Sequence, residues 1–233
     1  MKLLTYILIL VIITILALLI IHQRSTNLPE GSYTITSDPI DVMSEPNQFP
    51  VNEEKFELEI SQKGKDYRVV ITPMFYYDVS GKVVSVRKWK GWEESDCPVW
   101  KEIFPIDFGI AWGKMAVEEY AQYLKFFHTP ASRFLHWRYK FPPEGPSLDL
   151  KYMIKHFSNN HLSTSNETIR AVLHSVRKGD LVRIEGWLIK LDLYEDGRNM
   201  FSARSSTTRD DKWGGACESI YVKKIQINDR IFE

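Results

Sequence analysis

The sequence contains few of the residues and spacings that mark metal or cofactor sites. Only two cysteines, Cys97 and Cys217, occur in 233 residues, and no Cys-x-x-Cys or His-x-x-x-His spacing is present. A zinc site would therefore have to be assembled from residues far apart in the chain. Gly-rich phosphate loops, Gly-x-Ser-x-Gly and His-Glu-x-x-His motifs are also missing, which excludes the well-marked nucleotide-binding and hydrolase families. We expect neither a metal nor a cofactor.

The chain also lacks an excess of charge of either sign. Lys and Arg together number 30, Asp and Glu also number 30, and the formal net charge is zero. Leaving out Lys2 and Arg24, the only charged residues before position 25, the remainder has 28 basic and 30 acidic residues. A surface this close to neutral does not attract a phosphate backbone as nucleic-acid-binding domains do. We therefore expect no nucleic acid partner.

One long uncharged run lies at the N-terminus. Residues 3–21 contain no charge, no Gly and no Pro, and about 20 apolar residues are enough to cross a bilayer as a helix. A cleaved signal peptide usually has a shorter apolar run that ends at a small-x-small site, and none follows residue 21. We therefore predict a transmembrane anchor over residues 1–24, and a single-pass protein of the cell membrane whose C-terminal domain is extracytoplasmic.

The rest of the chain divides by composition into a linker and two lobes. Residues 25–54 contain four prolines and many small polar residues, which predicts a juxtamembrane linker. Alternating apolar and polar residues indicate antiparallel strands in a β-rich lobe over residues 55–141, and residues 113–127 have the apolar spacing of a helix. After a Pro-rich stretch, residues 147–233 predict a lobe of helices followed by a sheet. The two lobes form either separate domains or one shared core.

These patterns together predict an α+β fold class. The prediction is an N-terminal transmembrane helix followed by a mixed, mainly antiparallel β domain with a few helices. Ser80-Gly81 is interpreted as a turn between two strands, and Gly186 as the bend of another. Residues 177–189 resemble the first strand of an OB-type barrel, but the chain after Asp180 contains too few strands to close one. An ordinary sheet strand is the favoured interpretation.

The candidate chemistry centres on residues 206–222, STTRDDKWGGACESIYV, which combine hydroxyls, an Arg, two Asp and a Cys. Cysteine nucleophiles act as thiolates and need a base or a positive charge beside them. His161, in SNNHLS, is the candidate base and is predicted to lie in a loop before a helix. Arg209 and Asp210 are candidates for stabilising an oxyanion and orienting the imidazole. Cys217 would then be the nucleophile of a cysteine-dependent hydrolase or acyl transferase.

Other interpretations of the same residues stay open. Cys217 could be a small buried residue of a strand, or it could form a disulfide with Cys97 in an oxidising compartment. Asp107 could line a pocket or cap a turn, and Asn159 next to His161 is interpreted as a turn former. A structure with His161 within hydrogen-bond reach of Cys217 would favour the enzyme.

Three stretches, PIDFGIAWGKM, SNNHLSTSNETIRAVLHSVRKGDLVRIEGWLI and RSSTTRDDKWGGACESIYV, together resemble a group of uncharacterised bacterial membrane-anchored proteins that carry the same motifs in the same order. The likeness covers about residues 66–226. It implies a bacterial envelope protein and supplies no activity and no site residues. We therefore expect an extracytoplasmic binding or accessory module with a protein, peptide or glycan partner. The cysteine-dependent enzyme is the alternative.

Overall fold

The molecule is mainly β. The computed structural model describes residues 6, 9–15, 32–89, 97–129, 132–140, 147–208 and 217–233. Of these residues, 53% lie in strands and 18% in helices. Residues 9–15 are helical, and residue 6 is the only other described residue of the predicted anchor over residues 1–24. Within the described ranges, no helix combines the length and the apolar character that crossing a membrane requires.

The predicted fold class, α+β with an N-terminal transmembrane helix, is therefore wrong. Part of the reason lies in residues 113–127, whose apolar spacing predicts a helix. They form only a 3-10 turn at Gly113–Ala116 and one helical turn at Glu118–Ala121 before continuing as a strand. Packing in the sheet overrides local helical preference there, as tertiary context often does. The location at the cell membrane stays a prediction.

The elements are as follows. Twelve strands lie in the described part of the chain: β1 Thr34–Ile35, β2 Asn47–Pro50, β3 Phe56–Gln62, β4 Lys65–Lys88, β5 Ile106–Ala111, β6 Leu124–Thr129, β7 Ser132–Tyr139, β8 Phe157–Ser163, β9 Leu181–Glu195, β10 Arg198–Arg204, β11 Cys217–Ile227 and β12 Arg230–Phe232. After residue 32, the described α-helices are α1 Trp100–Ile103, α2 Glu118–Ala121, α3 Leu150–Met153 and α4 Glu167–Ser175.

Five of the strands close into a ring. β4 pairs antiparallel with β5, and β5 pairs antiparallel with β8. β8 then pairs parallel with β11, β11 pairs antiparallel with β9, and β9 returns antiparallel to β4. This barrel has the strand number of OB-type barrels. It takes two strands from before residue 141 and three from after residue 147, so the sequence after Asp180 did not need to supply all five.

Apolar side chains from every strand of the ring fill the barrel. Tyr77, Phe108, Leu162, Ile184 and Ile220 come from the five different strands, and each is fully buried in the same cluster. Because side chains alternate between the two faces of a strand, every second residue of the ring points inward. The two predicted lobes thus contribute to one shared core, and α4 packs its apolar face against it.

The outer face of the barrel is partly covered by two further clusters. One is built around α1, where Trp100 and Phe104 pack with Ile71 and Leu191 of the barrel strands. The other lies beneath the β6–β7 hairpin, around Phe126. Residues from outside the five barrel strands therefore bury selected parts of the outer face, and the candidate site lies beside these two clusters.

Two glycines of the barrel allow neighbouring strands to approach each other closely. Gly81 does not form the predicted turn, because β4 runs through it for 24 residues. A Cβ at Gly81 would lie 2.5 Å from the Ile110 side chain and 2.6 Å from the Ala111 carbonyl oxygen. A Cβ at Gly186 would likewise collide with the Tyr221 carbonyl oxygen. Only a residue without a side chain fits at such positions.

The segment before residue 55 is joined to the sheet. β1 pairs with β12, and β2 pairs with β4. Glu45 accepts a hydrogen bond from Trp112 Nε1 at 2.9 Å, and its other carboxylate oxygen lies 2.8 Å from His156 Nε2. The described part of the predicted linker, residues 32–54, therefore packs against the barrel.

Candidate functional site

Polar side chains line the outer face of the barrel where β4, β5, β8 and β11 lie side by side. The strand register aligns them in two neighbouring rows, Ser85–Gly109–Asn159–Cys217 and Arg87–Asp107–His161–Ser219. Residues two apart on a strand share a face, and neighbouring strands are about 4.8 Å apart. The register therefore places Cys217 next to Asn159 and diagonal to His161.

His161 is hydrogen-bonded on both sides of its ring. Its Nδ1 donates to Asp107 Oδ1 at 2.8 Å, and the ring is also hydrogen-bonded to the side chain of Cys217. Since Nδ1 is engaged by Asp107, the nitrogen that faces the sulfur is Nε2. Trp89 Nε1 donates to the second carboxylate oxygen of Asp107 at 3.0 Å. A Cys–His–Asp relay is therefore assembled from three adjacent strands.

The three groups differ in their access to solvent. Asp107 and His161 are buried, with 0% and 3% of their surface exposed, whereas Cys217 is half-buried. The ring of Trp100 stands edge-on to the His161 imidazole at 5.2 Å between centroids, and the ring of Phe104 lies at 6.0 Å. The aromatic cluster around α1 thus shields the imidazole, while Cys217 keeps part of its surface exposed.

This environment keeps the imidazole protonated. Burial on its own would lower the pKa of His161, but the Asp107 carboxylate and the hydrogen bond to Cys217 outweigh burial and raise that pKa to about 10. His161 is therefore an imidazolium at neutral pH. A positively charged imidazole beside a cysteine favours the thiolate form of the sulfur.

The raised pKa predicts how stability depends on pH. The pKa of His161 is about 10 in the folded protein and 6.5 as a model value. Its contribution is therefore fully present below pH 6.5 and is lost as the pH rises through about 10. We expect the free energy of unfolding, measured in urea, to fall over this range, where each tenfold change in proton affinity corresponds to about 1.4 kcal/mol. A His161→Gln variant should show a flatter profile. Parallel profiles for the two proteins would contradict the assignment.

A second set of hydrogen bonds reaches the same sulfur. Asn159 Nδ2 donates to Cys217 Sγ at 3.5 Å, and Asn159 Oδ1 lies 2.9 Å from His128 Nε2. His128 Nδ1 lies 2.9 Å from Ser85 Oγ. Burial lowers the pKa of His128, and this effect exceeds the opposite effect of the hydrogen bond to Asn159. His128 is therefore neutral at neutral pH, in contrast to His161.

The structure brings together some of the residues that the sequence singles out. His161 and Cys217 meet, although His161 lies in strand β8 and not in a loop. Arg209 and Asp210 fall outside the described residues. The sequence predicts only a pocket-lining or turn-capping role for Asp107, whereas in the structure this residue orients the imidazole. Its signal was the alternation in PIDFGI, where Asp107 occupies an outward position between inward apolar residues.

Asn159 and Cys97 also differ from their simplest interpretations. Asn159 is a buried strand residue and not a turn former. Cys217 is a free thiol, and Cys97 is buried in the cluster around α1. No disulfide therefore blocks the Cys217 sulfur in this structure.

Other binding features are limited. In the ranges that the structure describes, no three His, Cys, Asp or Glu side chains are grouped so that they could hold a metal ion. A cavity of about 290 Å³ lies beside Val83, Val84 and Phe126, and its lining includes none of the relay residues.

No known protein family, curated protein or solved structure matches the chain. The barrel by itself indicates no activity, because one fold can host many functions. The function has to be inferred from the relay and its surroundings.

Proposed function

We propose that the protein is a cysteine-dependent hydrolase or acyl transferase with Cys217 as its nucleophile. The observation that supports this proposal is the position of His161, whose Nδ1 donates to Asp107 at 2.8 Å and which lies diagonal to Cys217 in the register, where the Cys217 side chain interacts with the ring. A nucleophile, a base within hydrogen-bond reach and a third group that orients the base are the parts of triad catalysis. The sequence favoured a non-catalytic binding module, and this geometry favours the alternative.

The raised pKa of His161 assigns the resting protonation state. The proton lies on the imidazole, and in the proposed mechanism Cys217 attacks in its thiolate form, the reactive form of a cysteine nucleophile. In the first step, an electron pair of Sγ forms a bond to the carbonyl carbon of an acyl substrate, and the carbonyl π electrons move onto its oxygen. When the carbonyl re-forms, the bond to the leaving group breaks and His161 Nε2 gives that group its proton. The product is an acyl–Cys217 thioester.

The second step releases the acyl group. His161 is neutral after the first step and can accept a proton from an attacking nucleophile. Water as the nucleophile gives hydrolysis, whereas an amine, alcohol or thiol gives acyl transfer. The new bond forms at the acyl carbon and the bond to Sγ breaks, which restores the thiolate and the imidazolium.

Asp107 acts on this chemistry through His161. Its carboxylate holds the Nδ1–H, so that Nε2 faces the sulfur, and its negative charge stabilises the imidazolium. Trp89 donates to the other carboxylate oxygen and fixes the orientation of Asp107. Asp107 is therefore a positioning residue, as the third member of a triad is.

Alkylation of the folded protein tests the proposal. We expect iodoacetamide to label Cys217 at about pH 6, because the thiolate is the reactive form and the imidazolium favours it. Peptide mass spectrometry would identify the labelled residue. Cys97 is buried and serves as an internal control that should be labelled only after unfolding. A His161→Gln variant should be labelled at least about tenfold more slowly at this pH.

The opposite result has a clear meaning. Labelling of Cys217 only after unfolding, as for Cys97, would contradict a reactive nucleophile. It would favour the binding module, with a protein, peptide or glycan partner, in which Cys217 is a packing residue. An equal labelling rate in the wild type and the His161→Gln variant would remove His161 from the proposed role.

A further inference from the structure

We infer that Asn159 is the oxyanion-stabilising residue of this site and that His128 and Ser85 hold its amide in the working orientation. The inference rests on the proposed function, because an oxyanion forms only if Cys217 attacks an acyl group. The sequence suggested Arg209 for this role, but Arg209 lies outside the described residues. Asn159 can be assigned from distances and register.

The position of the Asn159 amide suits the oxygen of a tetrahedral adduct. Asn159 Nδ2 donates to Cys217 Sγ at 3.5 Å, and the two residues are register partners on β8 and β11. When the sulfur bonds to an acyl carbon, the oxyanion forms on that same carbon, next to the sulfur. An N–H that points at the thiolate is then beside the new negative charge. Asn side chains are among the groups that form oxyanion holes.

The orientation of the amide follows from a directional chain of hydrogen bonds. Neutral histidine has one N–H and one ring nitrogen that accepts. The Asn159 carbonyl oxygen needs a donor, so the proton of His128 lies on Nε2, and Nδ1 accepts from Ser85 Oγ. Ser85, His128, Asn159 and Cys217 are thus linked with every donor pointing toward the sulfur. Such chains polarise cooperatively and stabilise negative charge at their end.

The fold provides the space for this chain. Gly109 occupies the row between Ser85 and Asn159 and has no side chain. His128 therefore bridges the strands on either side of β5 from the β6–β7 hairpin. A Cβ at Gly109 would meet the Leu135 side chain of that hairpin and crowd Ser85. The hairpin therefore contributes a positioning residue to the site.

Two reactions of the same sulfur separate an oxyanion role from support of the thiolate. Acylation by p-nitrophenyl acetate passes through an oxyanion, whereas alkylation by iodoacetamide displaces iodide and forms none. For Asn159→Ala we expect acylation to slow by about 10²–10³-fold, the cost of removing one oxyanion-hole donor. Alkylation should change by only a few-fold. Acetylation and carboxamidomethylation of Cys217 would both be measured by mass spectrometry.

Variants of His128 test the chain of hydrogen bonds. His128→Phe removes the donor to Asn159, and we expect it to slow acylation by about tenfold or more while alkylation stays nearly unchanged. His128→Gln keeps an N–H donor and should recover part of the acylation rate. A defect confined to packing would affect both reactions alike and would not be repaired by Gln.

Failure of the proposed function and failure of the Asn159 assignment give different experimental results. If wild-type Cys217 is alkylated but never acylated, the proposed function itself fails and Asn159 has no oxyanion to bind. If wild-type Cys217 is acylated and Asn159→Ala acylates equally fast, the inference alone is overturned. It is also overturned if acylation and alkylation slow by the same factor in both Asn159→Ala and His128→Phe, since the network would then act on the thiolate only.

Discussion

Replacing Cys217 by Ala is expected to abolish acyl transfer by this protein. The thiolate is the only group of the relay that can form the thioester, so removing it removes the covalent path, and losses of about 10⁶-fold accompany the loss of a triad nucleophile. The measurement is turnover of p-nitrophenyl acetate together with the intact mass, where the acetyl adduct of the wild type should disappear. Because Cys217 is half-buried and is the first residue of its strand, folding should be affected little.

Cys97→Ala is the matched control for this variant. It removes the other thiol, which is buried in the cluster around α1. We expect a loss of stability of about 1 kcal/mol from the cavity, with the acetyl adduct and the turnover rate retained. An acetyl adduct that persists in Cys217→Ala and disappears in Cys97→Ala would identify Cys97 as the acylated residue and contradict the proposed site.

Asp107→Asn should have the second-largest effect. Asn is nearly the same size, but its amide N–H can donate to His161 Nδ1 and so place the imidazole proton on Nε2, where it cannot accept one from Cys217. The change also removes the negative charge that stabilises the imidazolium. By comparison with the same change in a serine triad, we expect kcat/KM for p-nitrophenyl acetate to fall by up to about 10⁴-fold. The pH profile should shift with it, because His161 would lose its proton at lower pH.

Asp192→Asn is a control of the same chemistry elsewhere on the barrel. Asp192 lies on β9, where its carboxylate pairs with Lys190 at 2.8 Å and accepts from Ser202 at 2.7 Å. We expect activity within about twofold of the wild type, because surface charge changes away from a site have small effects. Equal losses in Asp107→Asn and Asp192→Asn would indicate a general effect of charge, and an unaffected Asp107→Asn would remove Asp107 from the relay.

The sequence was informative about the reactive residue types and less so about their arrangement. Cys217 and His161 could be chosen because few side chains combine nucleophilic or basic character with polar surroundings. Asp107 and Asn159 could not be assigned, because their roles depend on which strands become neighbours. SNNHLS also hides a strand, since its outward positions carry polar site residues where a typical strand has simpler alternation.

The barrel shows the same limit at the level of the fold. Six of the twelve described strands were visible as alternating segments, namely β3, β4, β7, β9, β10 and β11. The closure of the five strands into a ring was not visible in the sequence. β8 and β11 pair in parallel although residues 164–216 separate them, and such a non-local pairing leaves no local sequence pattern. The predicted turn at Gly81 is wrong for a related reason. A glycine is required at position 81 because Ile110 and Ala111 of the neighbouring strand β5 approach the backbone there too closely for a side chain, and not because the chain turns.

The parallel pairing of β8 with β11 also has a consequence for biosynthesis. Contacts between segments far apart in sequence form slowly, because loop-closure entropy opposes them. His161 and Cys217 lie on these two strands, so they meet only when the ring is complete. A chain still emerging from the ribosome therefore carries an ordinary thiol, and on the proposed function its reactivity toward acyl groups begins with the last stage of maturation.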